Sequence, residues 1–225
     1  MALQWIRGTV AEKKIWSDGL FTLSIRAPGV VPFEPGQFLQ VGVELPDKHL
    51  HRPYSVASPH AETLDFFIVR VDQGELTPRL WNLELGAQID VSAKATGGFT
   101  LSHTPVAKHL WLLATGTGLA PYIAMLREGS LWKSYERVVL VHGVRFLSDL
   151  AYIDELEAYR KKLPDRFVFI PVVSRATAEH GFQGRITHAI ETGKLEDLAQ
   201  TPLRTDSSAV MMCGNPQMQI GRAHV

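Results

Sequence analysis

The chain has 225 residues, of which 45% are hydrophobic and 20% charged, a composition typical of a globular protein with a buried core. Its formal net charge is zero, so composition gives no indication of binding to nucleic acid or to a membrane surface. The single cysteine, Cys213, excludes an internal disulfide and any iron–sulfur or zinc site ligated only by cysteines of this chain. With no apolar run long enough for a bilayer span and no signal-peptide pattern, we expect a cytoplasmic protein.

Short strand patterns separated by turn residues occupy the first half of the chain. In residues 37–45, apolar residues alternate with Gln40, Gly42 and Glu44, a period of two that predicts one buried face. A short helix is expected over 75–83. About six strands with few helices favour an antiparallel barrel or sandwich. The strands are expected around the motif at residues 51–55 and at residues 9–15, 20–26, 37–45, 64–71 and 87–93.

The most informative stretch of this half is His51-Arg52-Pro53-Tyr54-Ser55, which has an extended pattern. Side chains alternate between the faces of a strand, so Arg52 and Tyr54 can point to one side while Ser55 points to the other. A guanidinium fork beside an aromatic ring suits a ligand that has both a phosphate and a planar heterocycle, such as a flavin nucleotide. The alternative is an ordinary strand with a surface arginine and a packed tyrosine.

After a linker at 103–108, apolar strands alternate with helices. This alternation predicts a parallel sheet with helices on both faces, the doubly wound α/β fold. Ser148 is the predicted N-cap of one of the helices. The strands are expected at residues 109–114, 137–143, 167–173 and 209–213, and the helices at residues 119–127, 149–162 and 186–191.

A glycine-rich turn, Thr115-Gly116-Thr117-Gly118, joins the first of these strands to a helix. Glycines allow the backbone to approach a diphosphate, and a helix N-terminus supplies amide donors. Pro121 stands where the dinucleotide fingerprint has its third glycine, which argues against the usual Rossmann loop. A tight turn without a ligand is the alternative.

Three arginines and a serine follow the ends of strands in this half, at the sheet edge where such folds bind ligands. Guanidinium groups at this edge can enclose a phosphate monoester, whereas an enzyme for NAD places a carboxylate near the ribose hydroxyl. We therefore expect a preference for NADP, with four separate solvated side chains as the alternative. The residues are Arg145, Ser174, Arg175 and Arg185.

Together these motifs resemble the ferredoxin–NADP reductase family, and most closely its shorter bacterial ferredoxin/flavodoxin–NADP reductases. The resemblance covers residues 1–219. It implies an antiparallel Greek-key β-barrel that binds FAD over 1–102 and a doubly wound α/β domain that binds NADP over 103–225. The matching motifs are Arg52-x-Tyr54-Ser55, Gly-Thr-Gly-x-x-Pro at 116–121, Val-His-Gly-Val-Arg at 141–145, Val-Val-Ser-Arg at 172–175, Gly-Arg-Ile at 184–186 and Cys-Gly-Asn-Pro at 213–216.

The same resemblance implies an enzyme that passes electrons between NADPH, through FAD, and a one-electron carrier, ferredoxin or flavodoxin. Tyr54 would stack on the flavin ring, Ser55 would bond near its reactive nitrogen, and Arg52 would neutralise the diphosphate. The other implied flavin contacts are Pro53, the backbone of Phe67, Ile68 and Val69, and the start of the short helix at Glu75, Leu76 and Thr77.

For NADP(H), the resemblance implies a diphosphate site at the glycine-rich turn and a 2′-phosphate site at the strand-end arginines. Cys213 would lie beside the nicotinamide and tune the geometry of hydride transfer. The implied NADP(H) contacts are Thr115, Gly116, Thr117, Gly118, Arg145, Ser174, Arg175 and Arg185.

Two other functions remain open from the sequence. One is a reductase module that serves an oxygenase, or reduces free flavin or quinones. The other is a non-catalytic electron-transfer subunit that holds a flavin but does not use nicotinamide. We expect no metal site, because the nine histidines show no metal-ligand spacing. We also expect a monomer.

The C-terminal residues depart from the family pattern. A helix is expected to begin at 217–219, but residues 220–225 look unrelated to the family and resemble translated sequencing-adapter sequence. Gly221 is also a poor helix residue. We therefore expect that the C-terminal helix is truncated.

Overall fold

The computed structural model describes residues 3–175 and 181–215, so the predicted truncated helix lies outside the described residues. The chain divides into two compact units, Met1–His103 with Ala120–Glu128, and Thr104–Leu119 with Gly129–Val225. The helix at Ala120–Glu128 thus belongs to the first unit, although it follows the first strand of the second.

The first unit is an antiparallel barrel of six strands. In spatial order the strands run β4-β3-β6-β1-β2-β5, and a bridge between Val56 and Phe66 returns the chain after β4 to β5. The predicted barrel fold is confirmed. The strands are β1 (Trp5–Ser17), β2 (Leu20–Arg26), β3 (Phe38–Glu44), β4 (His49–Ser55), β5 (Thr63–Val69) and β6 (Gln88–Ser92).

The barrel core is built by the alternation of apolar side chains along neighbouring strands. In the pairing of β2 with β5, Leu23 lies opposite Phe66 and Ile25 opposite Leu64, and all four side chains are fully buried. Each contributes roughly 1.5–3 kcal/mol through removal of its apolar surface from water. Helix α1 (Thr77–Trp81) adds the buried Leu80 to this core.

Helix α2 (Ala120–Glu128) is tied to the barrel by a partly buried arginine. The Arg127 guanidinium donates to the Asp65 carboxylate at 2.7 Å and to the Ala57 carbonyl oxygen at 3.0 Å. Ser24 donates to the other Asp65 oxygen at 2.6 Å, so Asp65 accepts hydrogen bonds at both oxygens. These bonds explain why a helix from the second half of the sequence belongs to the first unit.

The second unit is a parallel sheet, as predicted, but it has five strands, because the short β10 joins the four that were expected. The spatial order is β10-β9-β8-β7-β11, and each neighbouring pair is parallel. The strands are β7 (His109–Thr115), β8 (Arg137–Val144), β9 (Phe167–Val173), β10 (Phe182–Gln183) and β11 (Ser208–Cys213). The helices are α3 (Leu131–Ser134), α4 (Ile153–Lys162), α5 (Ile186–Glu191) and α6 (Lys194–Ala199).

Helices lie on both faces of this sheet. Ile186 of α5 and Leu195 of α6 share a hydrophobic core with strand residues on one face of the sheet, including Ile170 of β9. The Phe167 ring of β9 lies on the opposite face and contacts the rings of Trp132 of α3 and Tyr159 of α4, with centroids 5.7 and 6.1 Å apart. No helix in the described ranges 3–175 and 181–215 is long and apolar enough to cross a bilayer.

The predicted start of α4 was wrong. The helix begins at Ile153, because residues 147–149 form a separate 3₁₀ turn in which the Asp149 carboxylate accepts the Phe146 amide at 3.0 Å. Tyr152 then takes a left-handed conformation, with φ of 60°, before the helix. Ser148 is therefore not its N-cap.

Candidate active site

Strand β4 presents the Arg-x-Tyr-Ser motif. Its register with β3 puts Arg52 opposite Val41 and Tyr54 opposite Leu39. Because Leu39 and Val41 lie in the barrel core, Arg52 and Tyr54 are on the core-side face of the strand. Ser55 alternates to the other face.

Tyr54 combines a packed ring with a protonated hydroxyl. Its side chain is partly buried and packs against the barrel core. Burial raises the pKa of the phenol to about 12, although the nearby Arg52 charge opposes the shift. The hydroxyl is thus a donor at neutral pH, on a ring whose position is fixed by the core.

Arg52 lies among several charged side chains near the start of α1. Its guanidinium is exposed and donates to the His51 carbonyl oxygen at 2.7 Å. Lys48 donates to the Glu75 carboxylate at 2.7 Å, and this bond is the main reason that the pKa of Glu75 is lowered. Arg52 and Arg79 also lower that pKa. Three cations and one carboxylate thus form a net positive neighbourhood that suits a diphosphate.

The helix after this cluster starts later than predicted. It begins at Thr77 and not at Glu75, with Leu76 as its N-cap and Pro78 in its first turn. The Leu76 side chain is buried in the core, and the Thr77 hydroxyl accepts the Val71 amide at 2.8 Å. A proline has no N–H, so this short helix offers fewer amide donors than we expected.

The predicted flavin contacts in β5 are mainly core residues by their side chains. Phe67 is 3% exposed and Ile68 is 1% exposed, whereas Val69 is 48% exposed. The side chains of Phe67 and Ile68 are therefore not open to a ligand, and the backbone contacts predicted for these residues stay a prediction.

The glycine-rich turn that follows β7 contains two glycines, and each position favours glycine for a different structural reason. Gly116 has a φ of +52°, and a Cβ atom at this position would meet nothing within 4 Å. A Cβ atom on Gly118 would lie 2.2 Å from the Cys213 carbonyl oxygen. Gly116 therefore borders open space of the kind a phosphate cradle needs, whereas Gly118 is required by the protein's own backbone.

The end of β11 is closed against the end of β7. The Thr115 hydroxyl accepts the Asn215 amide at 2.8 Å, and a Cβ on Gly214 would lie 2.1 Å from that hydroxyl oxygen. Burial raises the pKa of the half-buried Cys213 thiol, so the thiol is protonated at neutral pH. The structure thus brings the glycine-rich turn and Cys213 together, because both follow or end neighbouring parallel strands, whose carboxyl ends lie at the same edge of the sheet.

The strand-end arginines lie on adjacent strands. Ser174 donates to the Val144 carbonyl oxygen through its amide at 3.0 Å and its hydroxyl at 3.2 Å, and the Arg175 amide donates to the Arg145 carbonyl oxygen at 2.9 Å. Arg185 comes two residues after β10, the next strand in the sheet. All three arginines are exposed, and within residues 3–175 and 181–215 none of their guanidinium groups has an ion-pair partner.

Three further side chains contribute to these sites: sequence reasoning missed Lys48 and Arg79, and it expected only a structural role for His142. Lys48 and Arg79 join the cluster at Arg52, but as single surface cations they carry no motif. His142 is fully buried in β8, and its Nε2 donates to the Gly116 carbonyl oxygen at 3.0 Å. Burial lowers the pKa of His142 to about 4, so a neutral imidazole supports the glycine-rich turn.

Comparisons with known proteins agree with both halves of this arrangement. A family model described as an oxidoreductase FAD-binding domain matches residues 8–99. A second model, described as an oxidoreductase NAD-binding domain, matches residues 112–222. The two models thus fall on the barrel and on the parallel sheet, in the predicted order.

Several relatives are similar over nearly the whole chain. The flavodoxin/ferredoxin–NADP reductase of Escherichia coli is 40% identical over 215 residues, which are 95% of this chain and 86% of that relative. The ferredoxin–NADP reductase of Pseudomonas aeruginosa is 40% identical over 215 residues, 90% of this chain and 81% of the relative.

A solved structure gives the same result at the level of the fold. It is a ferredoxin NADP⁺ reductase from Neisseria gonorrhoeae with bound FAD and NADP, with a TM-score of 0.91 and 30% identity. The match covers 96% of this chain and 88% of that one. The chain therefore belongs to the ferredoxin/flavodoxin–NADP reductase family.

Proposed function

We propose that this protein is an FAD-dependent reductase that oxidises NADPH and delivers electrons singly to ferredoxin or flavodoxin. The observation that carries the proposal is the match, over 96% of the chain, to a reductase whose structure holds FAD and NADP together. The relatives that are 40% identical have names that state the same activity.

The residues of the barrel fit FAD. The positive neighbourhood of Lys48, Arg52 and Arg79 would hold the diphosphate, since guanidinium and ammonium groups donate charge-assisted bonds to phosphate oxygens. Tyr54 would support one face of the flavin ring, and Ser55 would donate a hydrogen bond beside it. When bound, FAD supplies the chemistry that accepts a hydride and releases electrons one at a time.

Smaller contributions to the same site come from the rest of the predicted set. Pro53 fixes the backbone between Arg52 and Tyr54. The backbone of Phe67, Ile68 and Val69 and the segment Glu75, Leu76 and Thr77 would complete the flavin contacts.

The residues of the parallel sheet fit NADP(H). The diphosphate would lie at the open space beside Gly116, with Thr115 and Thr117 flanking it and Gly118 holding the turn against β11. Arg175 and Arg185 would enclose the 2′-phosphate, with Arg145 and Ser174 beside them. Among residues 3–175 and 181–215 these exposed guanidinium groups have no carboxylate partner, so no ion pair within that part of the chain has to be broken for phosphate to bind.

Cys213 would contribute to positioning of the nicotinamide. Its raised thiol pKa argues against a nucleophilic role, because the thiolate is the reactive form. Cys213 would offer the ring a small neutral side chain at the strand end, while Gly214 allows the close contact with Thr115 that fixes this position.

Three further expectations belong to the proposal. The functional domains would be residues 1–102 for FAD and 103–225 for NADP, with ferredoxin or flavodoxin as separate partners. The protein would work as a monomer in the cytoplasm. The single cysteine is consistent with a reducing compartment, where disulfides are rare.

An assay of electron acceptors tests the proposal. NADPH oxidation is followed with ferredoxin, flavodoxin, free flavin, a quinone and an artificial dye as alternative acceptors. The proposal predicts rapid reduction of ferredoxin or flavodoxin. Turnover with free flavin or a quinone but with neither carrier would instead indicate a flavin or quinone reductase.

A further inference from the structure

Three metal-ligating side chains from three strands converge on the outer face of the barrel. They are Glu44 at the end of β3, His49 at the start of β4 and Asp90 in β6. One ligand atom from each residue lies within 4.8 Å of the other two. None of the three belongs to the residues that we assign to FAD or NADP. We propose that this cluster binds a zinc ion or a similar divalent transition metal.

The pairing of the strands explains why the cluster forms. Glu44 lies directly opposite His49 in the β3–β4 pair, and Gly42 lies opposite Asp90 in the β3–β6 pair. A Cβ on Gly42 would lie 2.6 Å from the Cβ of His51, so a glycine is required where β3 and β4 approach each other. The spacing of histidines along the chain gave no sign of the cluster because its members are 5 and 41 positions apart.

Asp90 is held in the orientation that a metal ligand needs. It is only 4% exposed, and its two oxygens have separate tasks. Oδ1 accepts the Arg7 guanidinium at 2.7 Å, and Oδ2 lies 3.0 Å from His49 Nε2. Ligating carboxylates in metal sites are commonly fixed by such a second partner. Arg7 thus orients the carboxylate while Oδ2 stays directed at His49.

The His49 ring is also fixed by packing. The Trp5 ring meets it edge-to-face, with centroids 4.1 Å apart and planes at 84°. His49 is partly buried, whereas Glu44 is exposed and can adjust its position. One rigid imidazole, one rigid carboxylate and one adjustable carboxylate are a common basis for a site completed by water.

The distances and charges suit a transition metal. Two atoms that each lie about 2.0–2.1 Å from a tetrahedral zinc ion are roughly 3.3 Å apart, close to the separation of Nε2 and Oδ2. With a neutral imidazole, the carboxylates of Glu44 and Asp90 and the cation of Arg7 leave one net negative charge. Mixed imidazole and carboxylate ligands favour zinc over magnesium, which prefers oxygen ligands.

The metal would bind between His49 Nε2 and Asp90 Oδ2, in place of the hydrogen bond that joins them. His49 would ligate the metal through the Nε2 lone pair, with its ring proton on Nδ1. No oxidation or reduction is involved.

Isothermal titration calorimetry of the FAD-loaded protein with zinc chloride, in a buffer that does not chelate zinc, tests the proposal. We expect one zinc ion per chain and no comparable heat with magnesium chloride. Glu44→Gln and His49→Gln should each weaken zinc binding by about tenfold or more. His188→Gln, which removes an exposed histidine of the second unit, is the matched control and should leave binding unchanged.

Thermal unfolding supplies an independent readout. Zinc should raise the melting temperature of the wild type, because a ligand that binds the folded state stabilises it, but not that of Glu44→Gln. Glu44 is exposed, so this variant should match the wild type without zinc, and it decides the matter if His49→Gln fails to fold. Absence of zinc binding, or equal binding in the wild type and Glu44→Gln, would mean that the cluster is only an ion-pair network.

Discussion

The turn after β7 and the end of β11 approach so closely that a Cβ atom on Gly118 would lie 2.2 Å from the Cys213 carbonyl oxygen. Gly214 and Thr115 make a second contact of the same kind, with a hypothetical Cβ 2.1 Å from the threonine hydroxyl. The proposed diphosphate loop and the proposed nicotinamide position are therefore fixed to each other by the backbone of the second unit.

This contact predicts different effects for two glycine substitutions. Gly118→Ala should lower the free energy of unfolding by about 1–3 kcal/mol, because the methyl group forces two backbone segments apart. Gly116→Ala meets no steric neighbour, so its main stability cost should be the roughly 1–2 kcal/mol of a left-handed alanine. It should, however, raise the KM for NADPH. Urea unfolding and steady-state kinetics distinguish them, and a Gly118→Ala protein as stable as wild type would refute the packing argument.

Arg52→Ala should purify with little FAD. Loss of a charge-assisted bond costs about 1.5–3 kcal/mol, which corresponds to a roughly 10- to 100-fold weaker complex. Arg26→Ala is the control, since Arg26 is an exposed arginine of the same unit that pairs with Glu62 at 3.2 Å. The flavin-to-protein absorbance ratio measures occupancy. Full occupancy in Arg52→Ala would remove Arg52 from the flavin site.

Arg175→Ala should change the choice of nicotinamide coenzyme. We expect kcat/KM for NADPH to fall by about 10- to 100-fold while kcat/KM for NADH stays nearly constant, because only NADPH has the 2′-phosphate. Arg160→Ala, in α4, removes an exposed arginine whose partner is Glu157 and should alter neither value. Equal losses for both coenzymes would argue for a structural role of Arg175.

His142 should make the stability of the protein depend on pH in a defined window. Its pKa is lowered from 6.5 to about 4 by burial, so the unfolded chain binds a proton more readily than the folded chain between these values. Stability should therefore fall with decreasing pH, by about 2 kcal/mol from this residue alone between roughly pH 7.5 and pH 5.

The comparison of wild type with His142→Gln isolates this component. Urea unfolding at both pH values should show a smaller pH-dependent loss of stability in the variant, because glutamine does not titrate. An identical pH-dependent loss in both proteins would show that His142 is not responsible.

Much of the fold follows from local pattern. The predicted bounds of β2, β9 and α5 match the structure, since each is a short apolar segment with clear ends. The start of α4 was harder to predict from the sequence. It depends on the Asp149 side chain and on the left-handed conformation of Tyr152, and hydrophobic periodicity reveals neither.

Residues that act through the three-dimensional neighbourhood were not predictable. Lys48 reaches Glu75, 27 positions later, only because the barrel brings it beside the start of α1, and a lone lysine has no signature in sequence. Likewise, the Arg127–Asp65 pair that ties α2 to the barrel joins positions 62 residues apart. The Arg52 and Gly116 motifs were recognisable because phosphate binding needs particular residue types at adjacent positions.

Anaerobic titration of the purified protein with NADPH, followed by its visible spectrum and by chromatography of the released flavin, tests the central claim most directly. The account predicts a yellow protein whose flavin is FAD and is bleached by stoichiometric NADPH. A colourless protein that cannot be reconstituted with FAD, or a bound flavin that NADPH leaves oxidised, would contradict it.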